Sequence, residues 1–539
     1  MTGEPPLNHP VIPAPLRFDG GGGEFAFRSG TKVAYTDVGL APIVERFCSQ
    51  ITRRTGLRLV PTGGGTRATE PSVTVERGAR DERGALPVAA GLSPSGDDHP
   101  DERYSLTIGA DQVAVCAAEP VGVARGLTTL IQLLAAAPAD AEEICVPGGR
   151  ILDGPRYAWR GLSLDVARTF LTAGEVRRVI DLLALYKLNV LHLHLTDDQG
   201  WRLPVGRPAG TAESGVAYYR DEDLRALVAY AADRFVTIVP EVDTPGHAIA
   251  LMRLHPELNT GRNQVEFELP PGRKHHAVWL DPELPATFEL VEDVMAYVAA
   301  AFPGPYLHIG GDEAYGMPRD LYQRYVERLR RLVRSLGKRP LGWQESARAG
   351  LGPDDIIQYW FTQVDLAASV APQVWAHLDA ELVRSRRDVE AAAAAAVPII
   401  VSPLSHCYLD VPYAEPSADA AQEDRRGRAG LRLYAPKTVA GSFEWEPAEA
   451  LGAGREAQVA GVEAAIWAET ISDFGDLSFL LLPRLAGIAH RAWSAPRLTS
   501  WAEHRDRLAR HGRLWAQDGL TYFRTSSVDW LSGTGTLGG

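Results

Sequence analysis

The sequence predicts an α/β protein: a (β/α)8 barrel preceded by a small α/β domain built of one sheet and two helices. Three observations predict it. From Pro155 onward, eight apolar segments ending in polar residues alternate with stretches of helical periodicity. Continuous apolar strands of this kind belong to parallel sheets buried on both faces. Before Pro155, short strand signals accompany two helical stretches. The length of 539 residues asks for roughly two to four domains.

The elements follow in order. Residues 1–18 are a Pro-rich leader, docked or loose. The small domain spans 19–152. Its Gly20–Gly23 run reads as a turn, since a phosphate-binding loop needs a Lys-Ser/Thr partner that is absent. Strands are expected at Lys32–Tyr35, Ser72–Val75, Tyr104–Ile108 and Gln112–Val115. Helices are expected at 41–54 and 120–136, where apolar spacing nears 3.6, and 91–103 is a polar loop. The barrel domain spans 153–500. Its strands are Gly161–Val166, Val190–Thr196, Val236–Val242, Tyr306–Gly310, Pro340–Gln344, Ile356–Trp360, Pro398–Val401 and Val462–Trp467, with helices such as 173–187 and 221–234 between them. Eight such units fit the TIM-barrel arrangement. Strands five and six end only 15 residues apart, at Glu345 and Trp360, so the helix between them is short or missing. Ala391–Ala396 is a good helix former before strand seven. Residues 501–539 form a C-terminal appendage, helical over 501–511, with a mobile SGTGTLGG tail.

Composition excludes several classes. Hydrophobic residues at 45% and charged residues at 23% are ordinary for a globular protein. The formal charge of −13 disfavours nucleic acid and anionic membranes as partners. Cys48, Cys116, Cys145 and Cys407 lack metal-ligand or disulfide-framework spacing and read as mostly buried small hydrophobes. No metal or cofactor is expected. No stretch approaches 18 apolar residues and no signal peptide is visible, so the protein is cytoplasmic, or secreted with its signal removed.

In a barrel the chemistry sits at the C-terminal strand ends. Strand one leads to Asp165 and Arg168, strand two to Asp197-Asp198-Gln199, and strand three to Glu241, Asp243 and His247. Strand four ends in His308-Ile309-Gly310-Gly311-Asp312-Glu313, a carboxylate pair behind two glycines. Like charges in such a pair push one pKa upward, which suits acid–base work. Strands five to eight bring Trp343-Gln344-Glu345, Tyr359-Trp360, Tyr408-Leu409-Asp410 and Trp467-Ala468-Glu469. Tryptophans beside carboxylates are suited to sugars, because rings stack on pyranose faces while carboxylates accept from hydroxyls. A cation site is the competing reading; Arg168 and the tryptophan wall argue against it.

These motifs resemble the β-N-acetylhexosaminidases of glycoside hydrolase family twenty: LDVAR (164–168), LHLHLTDDQGWR (191–202), PEVDTPGH (240–247), HIGGDE (308–313), GWQE (342–345), QYW (358–360), YLD (408–410) and WAE (467–469). The stretch before them, with YSLTI and VGVARGLTTLIQLL, resembles that family's N-terminal domain. The resemblance implies a retaining exo-enzyme in which the substrate's own 2-acetamido oxygen attacks C1 through an oxazolinium intermediate. It implies Glu313 as acid/base and Asp312 as partner of the acetamido N–H. Tyr408 would donate to the acetamido oxygen, and Asp243 with His247 would set the state of Glu313. Arg168, Asp410 and Glu469 would bind sugar hydroxyls. Trp343, Trp360 and Trp467 would wall the N-acetyl pocket. Asp197, grouped with the substrate-binding residues, would support the relay or the Asp312 side. Adjacent strand residues point to opposite faces, so the chain must bend at Gly310-Gly311 for both acids to reach one sugar.

The expected partner is a small-molecule or oligosaccharide substrate with a terminal N-acetylhexosamine, and a homo-oligomer is compatible with the sequence. A lacto-N-biosidase or sulfated-hexosaminide specificity, or a non-catalytic sugar-binding protein, are the alternatives. One departure stands out. Where the family carries a further Trp in a GLSWAG-like loop, this chain has Gly430-Leu431-Arg432-Leu433-Tyr434-Ala435, behind a charged insert at 422–428 read as mobile.

Overall fold

The structure is a computed structural model, and it describes residues 9–64, 71–78, 82–135, 141–207, 217–269, 273–363, 372–496 and 498–531. The expected SGTGTLGG tail falls outside these residues.

The first unit is a seven-stranded sheet. Its strands are β1 (Arg17–Arg28), β2 (Lys32–Tyr35), β3 (Val60–Gly63), β4 (Ser72–Arg77), β5 (Tyr104–Ile108), β6 (Gln112–Ala117) and β7 (Glu143–Asp153), in spatial order β1-β7-β5-β6-β4-β2-β3. Helices α1 (Ala41–Thr55) and α2 (Pro120–Ala135) cover it. Phe25, Phe27, Val33, Phe47, Val73, Val75, Val115 and Leu127 fill the space between sheet and helices.

The Gly20–Gly23 run is not a turn. It lies inside β1, at a register shift between Gly20 and Glu24 opposite Gly149. A Cβ on Gly149 would sit 2.7 Å from the Phe18 ring and 2.8 Å from the Asp19 carbonyl, so the glycines serve close strand approach at a bulge. β1, β3 and β7 carry no clean alternation in sequence because of such glycines and prolines.

The second unit is a closed parallel barrel. Its strands are β8 (Trp159–Asp165), β9 (Val190–His194), β10 (Thr237–Glu241), then, after an antiparallel hairpin of β11 (Gln264–Leu269) and β12 (Arg273–Val278), β13 (Tyr306–His308), β14 (Arg339–Trp343), β15 (Ile356–Tyr359), β16 (Ile399–Val401) and β17 (Val459–Ile466). All eight expected strands are present. Between β14 and β15 stands only a 3-10 turn, Gln344–Ala349, so the fifth helix is missing as the spacing requires. The helix before β16 spans Pro372–Ala394.

The two units share a polar, buried seam. Glu102 bridges Arg125 of α2 at 2.8 Å and Arg160 of β8 at 2.7 Å. Asp153 receives Lys187 at 2.9 Å, the Tyr104 hydroxyl at 2.6 Å and the Trp493 indole at 3.0 Å. At the base of the barrel, Leu92 from the small domain joins Trp159, Val190, Val239, Tyr306, Leu341, Ile356, Ile400 and Ala460 in one apolar layer.

Of the two readings of the leader, residues 9–16 take the docked one. Val11 and Ile12 are fully buried, and Ile12 exchanges two hydrogen bonds with Gln132 of α2. The Pro10 carbonyl lies 2.7 Å from His511 on the C-terminal helix Trp501–Gln517. The 422–428 insert is tied down: Glu423–Arg428 forms a short helix whose Arg425 and Arg428 both reach Asp476. Cys48 and Cys407 are buried as expected, while Cys145 is exposed. Among the described residues no helix is long and apolar enough to cross a membrane.

Candidate active site

The site grows from the bend after β13. Gly310 and Gly311 have φ of +67° and +101°, a region only glycine enters freely. A Cβ on Gly310 would fall 1.7 Å from Asp243 Oδ1, so no other residue fits. Asp243 accepts the Gly311 N–H at 3.2 Å, and the Tyr322 hydroxyl holds the Gly311 carbonyl at 2.6 Å. The bend brings Asp312 and Glu313 to one side. Glu313 and His247 both adopt positive φ, +46° and +50°, the kind of local strain that surrounding structure must impose.

His247 stands between the acids. Its Nε2 lies 3.7 Å from both Asp312 Oδ2 and Glu313 Oε2 and 4.0 Å from Asp243. Its nearest partner is Asp197, at 3.3 Å from Nδ1. Burial alone would depress the imidazolium, but Asp197 and Asp243 outweigh it and hold the His247 pKa well above its ordinary value. Burial, then Asp243, pushes Asp312 well above the carboxylate range; burial raises Asp243 to about 7. Asp243, His247 and Asp312 have ligand atoms within 4.8 Å of one another, as a cation would need. An imidazolium is no ligand, however, so metal binding there would first require His247 to lose its proton.

Asp197 has a different place from that of a sugar ligand. It is 1% exposed, and its Oδ2 takes Arg168 at 2.8 Å and His194 at 2.9 Å while Oδ1 faces His247. It holds Arg168, His194 and His247 from behind. Arg168 is fixed from the other side by Asp165 at 3.0 Å and reaches Glu469 at 3.5 Å. Asp198 accepts the Ile249 N–H, a structural task.

Across the cleft, Trp360 and Tyr408 stack with centroids 6.0 Å apart. Trp467 meets Tyr408 edge-on at 6.0 Å and Trp343 at 5.9 Å. Arg168 lies 5.2 Å above the Trp467 ring. Asp410 sits beside this box, 1% exposed, and no side chain among the described residues donates to its oxygens; only the backbone N–H groups of Asp410 itself and Trp467 approach them. Burial and then Glu469 raise its pKa to about 7. Asp312 Oδ1 is likewise buried and unpartnered. The structure therefore gathers Arg168, Asp197, Asp243, His247, Asp312, Glu313, Trp343, Trp360, Tyr408, Asp410, Trp467 and Glu469 at one end of the barrel.

Sequence reasoning missed Tyr315 and Glu463, named Glu345, Glu241 and His308 at their strand ends without a role, and named Tyr434 only as the stand-in for the absent loop tryptophan. The Tyr315 hydroxyl donates to Glu313 Oε1 at 2.9 Å. Glu345 accepts the Trp360 indole at 3.1 Å. Tyr434 packs on the aromatic box, and its hydroxyl stands in the field of Asp410, Glu313 and Glu469. Below them lies a wholly buried set of His192, His194, Glu241, His308 and Glu463. The period-two LHLHL of β9 was the available signal: alternate residues face the barrel interior.

Comparison with known proteins accords with this geometry. Residues 157–496 match the glycosyl hydrolase family 20 catalytic domain, and residues 8–154 match domain 2 of the same family. A β-N-acetylhexosaminidase of Cellulomonas fimi is 37% identical over 443 residues, 80% of this chain and 82% of that protein. The structure of Streptomyces plicatus N-acetyl-β-hexosaminidase in complex with Thio-NAglucal superposes with a TM-score of 0.79 at 32% identity, covering 98% of this chain and 99% of the other. A mutant of the Streptomyces plicatus enzyme in complex with its product GlcNAc gives the same TM-score at 31% identity, covering 98% and 99%.

Proposed function

Because the chain belongs to glycosyl hydrolase family 20, we propose that it is a retaining exo-β-N-acetylhexosaminidase that releases terminal non-reducing GlcNAc or GalNAc by substrate-assisted catalysis. The observation that carries the reading is the set of buried carboxylate oxygens that no side chain satisfies, both on Asp410 and one on Asp312, facing a box of Trp343, Trp360, Tyr408 and Trp467. Burying such atoms without donors is costly. Sugar hydroxyls and an acetamido N–H would supply those donors while the rings take the apolar faces.

In the first step the acetamido oxygen attacks C1 while Glu313 gives its proton to the departing glycosidic oxygen. Asp312 takes the acetamido N–H and, in its ionised form, offsets the positive charge of the oxazolinium ring, a charge that itself favours that form. Tyr408 donates to the acetamido oxygen and aims it. In the second step water attacks C1 from the face the leaving group vacated. Glu313 now takes the water proton, the C1–O bond of the oxazolinium breaks, and the sugar leaves with its β configuration. Fragments of chitin carry the required terminal sugar and are one natural source of substrate. Tyr434, in place of the missing loop tryptophan, is a modest platform for the sugar that follows.

The test is a panel of nitrophenyl sugars. GlcNAc and GalNAc glycosides should turn over with β product, and the glucoside, lacking the acetamido group, should not. A thiazoline analogue should inhibit competitively and tightly, since it resembles the intermediate. An α product by NMR, or efficient cleavage of the glucoside, would refute the mechanism.

A further inference from the structure

The His–Glu set beneath the site converges on one residue. Glu241, the last residue of β10, is wholly buried. Its Oε1 accepts the Trp343 indole N–H at 2.8 Å and lies 3.0 Å from His308 Nδ1. Its Oε2 lies 2.5 Å from His194 Nδ1 and 3.1 Å from His192 Nε2. The other ring nitrogen of His194 meets Asp197 at 2.9 Å, and Asp197 meets His247. His308 Nδ1 also receives the Gly310 N–H at 3.1 Å, inside the bend that presents Asp312 and Glu313.

We infer that Glu241 is a positioning residue shared by both halves of the reaction: through Trp343 it fixes the wall of the acetamido pocket, and through His194 and Asp197 it fixes the orientation and protonation of His247. This rests on the function proposed above. Glu241 touches no substrate. Its geometry instead makes the pocket that aims the acetamido oxygen and the relay beside the acid lean on the same carboxylate. Hydrogen bonds from Trp343 to one oxygen and with His194 at the other, with the His192 and His308 rings packed at 3.1 and 3.0 Å, leave it no freedom to serve one branch without the other. The groups facing it are His192, His194, His308, Asp243 and Asp312. Those facing His247 are Asp197, Asp198, Asp243, Asp312, Glu313 and Arg168. The motif neighbours Asp243 and His247 draw attention away from Glu241, whose own role lies in contacts 47, 67 and 102 residues away.

The experiment is Glu241→Gln, with Trp343→Phe, His194→Gln and their double variant alongside. Three readouts are taken: thiazoline inhibition for the pocket, the kcat/KM–pH profile for the relay, and thermal unfolding for the fold. Glu241→Gln should weaken thiazoline binding by about tenfold or more and also shift the pH profile. Losses in kcat/KM from Trp343→Phe and His194→Gln should not multiply; the double variant should be at least about threefold better than their product, as residues sharing one network are. A folded Glu241→Gln that moves only one readout overturns the inference. So does a double variant whose loss equals the product, and this second arm decides even if Glu241→Gln fails to fold. Wild-type turnover of nitrophenyl GlcNAc is measured first. Its absence would sink the proposed function, whereas turnover with multiplicative losses would sink only the role of Glu241.

Discussion

The chain buries two groups of histidines, and they titrate in opposite directions. At the barrel mouth His192, His194 and His247 are all raised, His192 to about 9. Where the leader meets the C-terminal helices, His9, His490, His504 and His511 are all lowered, His9 to about 3 and His511 to about 4. In both groups burial is the largest single influence and favours the neutral ring. What differs is the company. The first group is interleaved with Asp197, Glu241 and Glu463. The second faces Arg507 and Arg491, stacks on Phe443 at 4.3 Å through His504, and leaves both His504 ring nitrogens unpartnered. Carboxylates per imidazole, not depth, decide the sign. His308 makes the same point inside the first group. Burial, with His192 pushing the same way, outweighs its share of Glu241 and lowers it to about 4.

The largest expected effect comes from removing a carboxylate from the first group. Asp197→Asn takes the nearest carboxylate from His247, leaving Asp243 and Asp312 to oppose burial, and leaves Arg168 to Asp165 and Glu469 alone. Activity on nitrophenyl GlcNAc should fall by about 10²-fold or more, the scale of a lost acid–base contribution. The His247 pKa should drop, so the basic limb of the kcat/KM–pH profile should move to lower pH. An unmoved limb would break the comparison.

A second prediction concerns stability. The C-terminal group has depressed folded pKa values, so the unfolded chain binds more protons below pH 6.5. Its contribution is complete above pH 6.5 and is lost as pH falls toward about 4, where His511 titrates in the folded state. The barrel group has raised values, so its contribution is complete below pH 6.5 and is lost as pH rises through about 9, where His192 titrates. Melting temperature should therefore decline on both sides of neutrality. His504→Leu should flatten the acid side alone, since every tenfold difference in proton affinity between the unfolded and folded chain is worth about 1.4 kcal/mol. A variant whose acid-side slope matches the wild type would remove this group from the account.

The smallest effect is expected at His308. It is already neutral, so His308→Gln exchanges one uncharged donor–acceptor for another. Turnover should fall less than tenfold and the pH profile should stay in place, on the scale of a single neutral hydrogen bond of about 1 kcal/mol. A shifted limb would show that His308 carries charge after all.

The barrel was legible because its strands are buried on both faces and so run apolar until they end in chemistry. That rule alone located Asp312, Glu313, Asp410 and Glu469 at one rim. What stayed hidden was of two kinds. Gly20–Gly23 carries a turn's composition but answers Gly149 across a strand pair, a match no local reading reveals. Glu241 takes its place from partners roughly 50 to 100 residues distant. The lowered histidines were invisible for the same reason: they come from both ends of the chain and meet only after folding.

The Leu92 contact has a consequence for how this protein can be divided. The barrel floor is finished by a side chain that belongs to the other unit, and Gly91 is pressed so close to Ala460 that a Cβ there would overlap its carbonyl. Cutting the chain near residue 155 would therefore not release a minimal enzyme. It would uncover an apolar disc at the base of the barrel and strand Arg160 without Glu102, and the fragment should aggregate on expression while every residue of its catalytic rim remained intact.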